Sequence, residues 1–280
     1  MLAARAAVYA RAMQISELAA PLRPHPDWLV PDWPVPPTVW ALCTTRVGGV
    51  SQAPYESMNL GGYVGDAPEA VASNLRRLAQ ALGARPVMLE QVHGSRLLPL
   101  DAQTPGYQEA DGSYTGQRGL ACTVGIADCL PILLCHLDRG QATQVGALHA
   151  GWRGLAGDEG LGVVEAFFAS QASNGRPPAQ WLAWLGPCIG PKAFEVGAEV
   201  RETFMAFSPL ASQAFAPLAG GKFLADLPLL ARQRLAASGV TAVFGNDGNP
   251  AWCTVGNPSR FFSYRRDKRT GRQVASICLL

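Results

Sequence analysis

The stretch Leu120–Gly154, "LACTVGIADCLPILLCHLDRGQATQVGALHAGWRG", holds two long apolar runs on either side of Asp138-Arg139-Gly140. Apolar runs bounded by a glycine-containing turn signal read as strands, so the segment predicts an antiparallel hairpin inside a sheet. Its ends carry unusual residues. Cys129 stands near the start of one arm, and the other closes on "ALHAGWRG", where His149, Trp152 and Arg153 sit among small residues. With the loop centred on Arg139, paired residues have numbers that sum to 278, which sets Cys129 opposite His149. Directly opposed residues share a face, with Cβ atoms about 4.5–5.5 Å apart, a range that suits two ligands of one ion or a thiol and its base. A slip of one residue would move one partner to the other face.

Outward from the hairpin, helices and strands alternate irregularly. "VWALCTTR" (39–46) reads as a strand that breaks at Gly48-Gly49, and a long loop, "SQAPYESMNLGGYVGD" (51–66), follows. Long structureless loops inside a domain are usually functional. In "APEAVASNLRRLAQALG" (67–83), Val71, Leu75, Leu78 and Leu82 recur at helical spacing before a glycine stop. "PVMLEQVHG" (86–94) reads as a short strand with a polar tip. Further helices are predicted over 161–172, 196–207 and 227–239, and further strands over 179–187, 241–245 and 273–280. No fixed-period repeat, G-x-G-x-x-G or P-loop occurs. The fold class is α+β (α/β), a single domain with a mixed β-sheet and flanking helices. Residues 1–38 read as an N-terminal extension with a proline-rich arm, and 39–280 as the single catalytic domain. The arm holds seven prolines between 21 and 38, which excludes helix and favours an extended surface course.

Composition narrows the function classes. Of 280 residues 48% are hydrophobic and 16% charged, enough to fill a core, and the net charge of +2 gives no basis for nucleic-acid binding. No apolar run reaches the ~18 residues of a membrane span. Seven scattered cysteines without a C-x-x-C pair read as reduced, cytoplasmic thiols. The Ala/Arg-rich, acid-free first dozen residues read as an extension upstream of a start at Met13, with nothing to suggest export.

Polar residues gather at strand ends. His93 in "QVHG" and His149 in "LHAG" each close a predicted strand, and with Cys129 they make a His, Cys, His set. Zinc accepts both donor types, and three protein ligands leave a fourth position for water or substrate; water held there ionises near neutral pH. Taken singly, Cys129 reads as a small buried hydrophobe rather than a ligand, and each histidine as a strand-end imidazole capped by a carbonyl; it is the convergence of the three that points to a site. Asp128 points away from Cys129 in a regular strand and serves to orient a neighbouring group. Arg46 and Arg153 sit at strand exits beside glycines and suit the gripping of phosphate or carboxylate, or else surface ion pairs. Asn59 and Gln91 are candidates either for reading a substrate's polar edge or for tying down loops. "FFSYRRDKRTGR" (261–272) reads as a solvated basic turn.

The ordered motifs "TTRVGGVS", "YESMNLGGYVGD", "QVHG", "ADG", "ADCLPILL", "HAGWRG", "GPCIGPKAFEVG" and "FFSYRRDKRTGR" give the chain, from about Cys43 to its end, a resemblance to a known family. It is the multicopper polyphenol oxidase (laccase-like) family, whose members are regarded as purine nucleoside phosphorylases and in part as peptidoglycan editing factors. The resemblance implies a zinc site at His93, Cys129 and His149, with copper as an ion such a site takes in vitro. It implies phosphorolysis of adenosine, inosine, guanosine and methylthioadenosine to base and ribose 1-phosphate, and hydrolytic deamination of adenosine. The implied partners are purine nucleoside and phosphate, on a cytoplasmic monomer or homodimer. Arg46 or Arg153 would then hold phosphate, with Asn59 and Gln91 on the substrate. Two features depart from this picture. "LAGDEGLGVVE" after "HAGWRG" is longer than the family pattern, and the glutamate of an H-x-E deaminase motif is missing. Copper polyphenol oxidation fits poorly, because blue and trinuclear copper centres need more than four histidines. A Cys129–His149 hydrolase and a non-catalytic editing partner for peptidoglycan precursors are the alternatives.

Overall fold

The hairpin forms, with a register that its turn explains. In the computed structural model, which describes residues 21–280, its arms are Leu130–Asp138 and Gln141–Ala150. Arg139 and Gly140 both take positive φ, 48° and 80°, the conformation of a two-residue hairpin turn. The turn is therefore centred between them, not on Arg139. A bulge between His136 and Leu137 then adds one more residue, so His149 lies opposite Pro131 and not Cys129. The whole displacement is two residues. Side chains alternate with period two, so the expected face survives although the expected partner does not.

Two mixed sheets form the body, beside two small sheets of three and two strands. One has four strands, in the order Val39–Cys43, Gln273–Leu279, Leu120–Ile126 and Arg85–Val87, the last pair parallel. The other has six, in the order Ala242–Gly245, Trp181–Leu185, Leu130–Asp138, Gln141–Ala150, Gly112–Thr115 and Leu97–Pro99. Alternation along each strand builds the layers. Cys122, Val124 and Ile126 of the first sheet share a core with Leu133, Cys135, Val145 and Ala147 of the second, so the sheets pack face to face. The opposite parity, Ile132, Leu134 and Leu148, meets Val164, Phe167, Leu230 and Leu235 of the helices Val163–Ala172 and Leu227–Ala237. On the outer side of the four-stranded sheet, Ala121, Val274 and Cys278 meet Leu75, Leu78 and Leu82 of the helix Pro68–Leu82. The order is helix, sheet, sheet, helix. That helix follows the predicted spacing and stops at Gly83, whose φ of 60° is the left-handed cap a glycine supplies. Each of its three fully buried leucines contributes about 2 kcal/mol of apolar burial.

The strand Leu120–Ile126 belongs to one sheet and Leu130–Asp138 to the other, so the chain crosses between layers within Ala127-Asp128-Cys129. This corner places Cys129 at the mouth between the sheets. The proline-rich arm has no helix from residue 21 on, and it lies against the body. Trp28 is buried and donates its indole N–H to the Val47 carbonyl, and Leu29 bridges to Cys43. The Ala/Arg-rich start and Met13 lie outside the described residues. All seven cysteines are unpaired. Among the described residues no helix is long and apolar enough to cross a membrane.

Candidate metal centre and its cleft

Three short corners bring His93, Cys129 and His149 together, with their ligand atoms within 4.8 Å of one another. His93 follows the two-residue strand Leu89–Glu90, Cys129 ends the crossing between sheets, and His149 is the penultimate residue of its hairpin arm. Cys129 Sγ lies 3.6 Å from His93 Nε2, and the two imidazoles meet edge to face with centroids 4.8 Å apart. Zinc–sulfur and zinc–nitrogen bonds of about 2.3 and 2.0–2.1 Å set at a tetrahedral angle span an edge of about 3.5 Å, the spacing of the Cys129–His93 pair, and both donor types are ones that zinc accepts. Gly151 closes over the group. A Cβ there would stand 2.9 Å from the His93 ring and 3.0 Å from Cys129 Sγ.

Two aspartates fix these corners. Asp111, fully buried, accepts a hydrogen bond from His149 Nδ1 at 2.8 Å and others from the main-chain N–H groups of Val92, His93 and Gly94. A carboxylate only accepts, so His149 carries its proton on Nδ1 and turns Nε2 to the centre. The same bonds hold His93 at a φ of 66°, left-handed backbone that a side chain rarely adopts. Asp128 has a φ of 103°, so the regular strand that would turn it from Cys129 does not exist at this point. Its carboxylate accepts from Thr254 Oγ1 and from the Arg265 main-chain N–H, both at 2.6 Å, which orients a neighbouring segment as anticipated.

Charge is balanced inside the centre. Burial pushes the Cys129 thiol up, but the His149 charge and hydrogen bonds from both imidazoles outweigh it and bring the thiol down to about 6. Burial pushes His149 down, while the Cys129 thiolate and the Asp111 carboxylate together raise it to about 9. Burial likewise pushes Asp111 up, yet its bonds to His149 and the main chain hold it below the usual carboxylate range. Metal-free, the pair is a thiolate and an imidazolium near neutral pH.

The centre forms the floor of a cleft of about 550 Å³. Trp152 and Arg153 rise on one side, with the guanidinium 4.4 Å over the indole ring. Tyr63, Tyr264, Arg265, Lys268 and Arg272 also line it, and Asp128 is the one carboxylate among the lining residues. Of the residues expected at a substrate, Arg153 and Gln91 are there, and Gln91 is spent on structure. Its amide bonds both the N–H and the carbonyl of Gly125. Arg46 and Asn59 are not at the cleft. Arg46 donates to the carbonyls of Glu56 and Pro258, and the buried Asn59 bonds Asp66, Gly61 and the Arg272 main chain. Both residues brace the long loop against distant segments, a demand that spacing along the chain does not reveal. The turn expected over 261–272 is solvated at Tyr264, Arg265 and Asp267 to Arg269, and it is also a wall of the cleft. Ser263 caps the short helix Tyr264–Asp267 by accepting from the Arg266 N–H, and Tyr264 and Arg265 line the cleft beside it. Asp111 went unread within "ADG" because its partners lie on other elements.

An α+β protein of paired sheets with an open two-histidine, one-cysteine centre is a definable class, and comparison with known proteins gives it a family. Residues 40–280 match the family model described as multi-copper polyphenol oxidoreductase laccase, and the chain belongs to that family. A Pseudomonas aeruginosa protein named purine nucleoside phosphorylase is 50% identical over 253 residues, 90% of this chain and 98% of that one. An Escherichia coli protein of the same name is 49% identical over 254 residues, again 90% and 98% of the two chains. Among solved structures, a Neisseria meningitidis protein superposes with a TM-score of 0.81 at 43% identity, covering 90% of this chain and 99% of that one. Among the described residues, His93, Cys129 and His149 form the one cluster of such side chains suited to a metal ion.

Proposed function

We propose that the protein is a zinc-dependent purine nucleoside phosphorylase of the cytoplasm. It takes adenosine, inosine, guanosine or methylthioadenosine with phosphate to the free base and the ribose 1-phosphate, and it also deaminates adenosine. The observation that carries this reading is the open three-ligand centre on the floor of a cleft walled by cations. The relatives' names give the reaction class. In phosphorolysis a phosphate oxygen bonds to C1′ of the ribose, the bond from C1′ to the purine nitrogen breaks, and the base leaves with the electron pair and takes up a proton. Two anions must be accommodated. Arg153 is exposed, keeps no side-chain hydrogen bond among the described residues, and is held flat by Trp152. Its guanidinium is thus free to grip phosphate through two parallel bonds. His93, Cys129 and His149 would hold zinc, which when bound supplies Lewis-acid polarisation at its open position. Asp111 keeps His149 in the tautomer that offers Nε2 inward. No glutamate lines the cleft, so the deamination rests on the family resemblance alone.

A second reading has its own observation. Cys129, His149 and Asp111 stand in the order of a thiol nucleophile, its base and an orienting carboxylate, with the thiol down at about 6. Purified protein incubated with inosine and phosphate separates the two. The phosphorylase reading predicts hypoxanthine and ribose 1-phosphate in equal amounts, lost on chelation. A hydrolase would be silenced by thiol alkylation, be indifferent to chelators, and release no ribose 1-phosphate.

A further inference from the structure

The basic stretch 261–272 does more than wall the cleft. Sharing Tyr63, Tyr264, Lys268 and Arg272 with the cleft is a side lobe of about 430 Å³, which Val64, Arg269 and Thr270 complete, with no carboxylate. Arg272 stands between the two tyrosines, its guanidinium 5.5 Å from one ring and 5.9 Å from the other, and bonds only main-chain carbonyls. Arg269 lies over the Tyr55 ring and bonds its hydroxyl. Lys268, at a φ of 59°, lies over the Tyr264 ring with no acidic partner among the described residues. Thr270 adds an independent sign. It is 2% exposed, and its hydroxyl has no hydrogen-bond partner. An unsatisfied buried hydroxyl costs about 1–3 kcal/mol, so its place in a cation-lined lobe calls for an acceptor.

We propose that this lobe binds the phosphate of a purine nucleoside 5′-monophosphate whose ribose and base occupy the main cleft. The inference rests on the phosphorylase reading of that cleft. A phosphomonoester brings nearly two negative charges and three acceptor oxygens, which matches the lobe's three cations and its hydroxyl. Inorganic phosphate, the co-substrate, has to reach C1′ beside the centre, where Arg153 and His93 share a different recess. The lobe touches none of the three ligands. The chain thus offers separate places for the attacking phosphate and for one already esterified to the substrate.

Inosine and inosine 5′-monophosphate, titrated calorimetrically into the zinc-loaded full-length protein in phosphate-free buffer, test the proposal. The nucleotide is expected to bind at least about tenfold more tightly, with an advantage that shrinks as salt rises. Lys268→Met and Thr270→Val should each bring the ratio of the two dissociation constants towards one. Thr270→Val is isosteric and removes an orphan hydroxyl, so it should be as stable as the parent or more so, an outcome that a merely structural role would not couple to lost nucleotide affinity. Inosine binding with no nucleotide advantage would overturn the proposal and leave the phosphorylase reading intact. An advantage that survives both substitutions would place the anion elsewhere and overturn it too. Should Lys268→Met raise the KM for inorganic phosphate while the ratio already stands at one, the lobe serves the co-substrate and the proposal fails. Failure of both compounds to bind would remove the nucleoside reading and the proposal together.

Discussion

At the scale of single residues, Asp111 does the most with the fewest atoms. One carboxylate, buried beneath the centre, sets the tautomer of His149 and holds the backbone that presents His93. Asp111→Asn keeps the shape but loses the charge and half of the acceptors. Zinc affinity should fall about 10–100-fold, as for other partners of metal-bound histidines, read by competition with a chromophoric chelator. The thiolate and imidazolium of the metal-free site give a second prediction. At pH 7.5 Cys129, at about 6, has lost its proton, whereas His149, at about 9, still holds one. Zinc binding must displace it, so about one proton should be released per ion. Release should fall away above pH 9 and rise below pH 6, where Cys129 is protonated as well, and affinity should weaken as pH falls. A release that does not change between pH 7 and 10 would contradict this assignment.

At the scale of elements, the site depends on corners, and corners are where a sequence is hardest to read. The helix 68–82 and the hairpin were legible because burial imposes a period on their side chains. The cluster of His93, Cys129 and His149 was legible because each stands at the end of such a run, and the face of His149 survived an error in its register. Pairing with Cys129 was misread because a two-residue turn and a bulge, both invisible to hydrophobic pattern, displaced the register by two. Arg46, Asn59 and the wall at 264–272 owe their roles to segments up to 213 residues away. Gly151 tests the corner directly. Its φ of −65° and ψ of 158° suit any residue, so alanine brings no backbone strain, only a methyl group against His93 and Cys129. Gly151→Ala should keep the far-ultraviolet circular dichroism of the parent and lose about tenfold or more in zinc affinity. Unchanged affinity would show that the ring and sulfur yield without cost.

For the molecule as a whole, two face-to-face sheets flanked by helices form the frame, and the candidate centre lies where the chain crosses between them. The same layering segregates the thiols. Burial pushes Cys122, Cys135 and Cys278 up to about 12, whereas Cys129 is drawn down to about 6, so an alkylating reagent on the folded protein reports on the centre. Zinc content and inosine phosphorolysis should be followed on one sample as a chelator strips the metal and zinc is titrated back. Turnover is predicted to vanish with the ion and to return in proportion to it, reaching its plateau at about one zinc per chain. Stripped protein that still produces ribose 1-phosphate at the original rate would contradict the account.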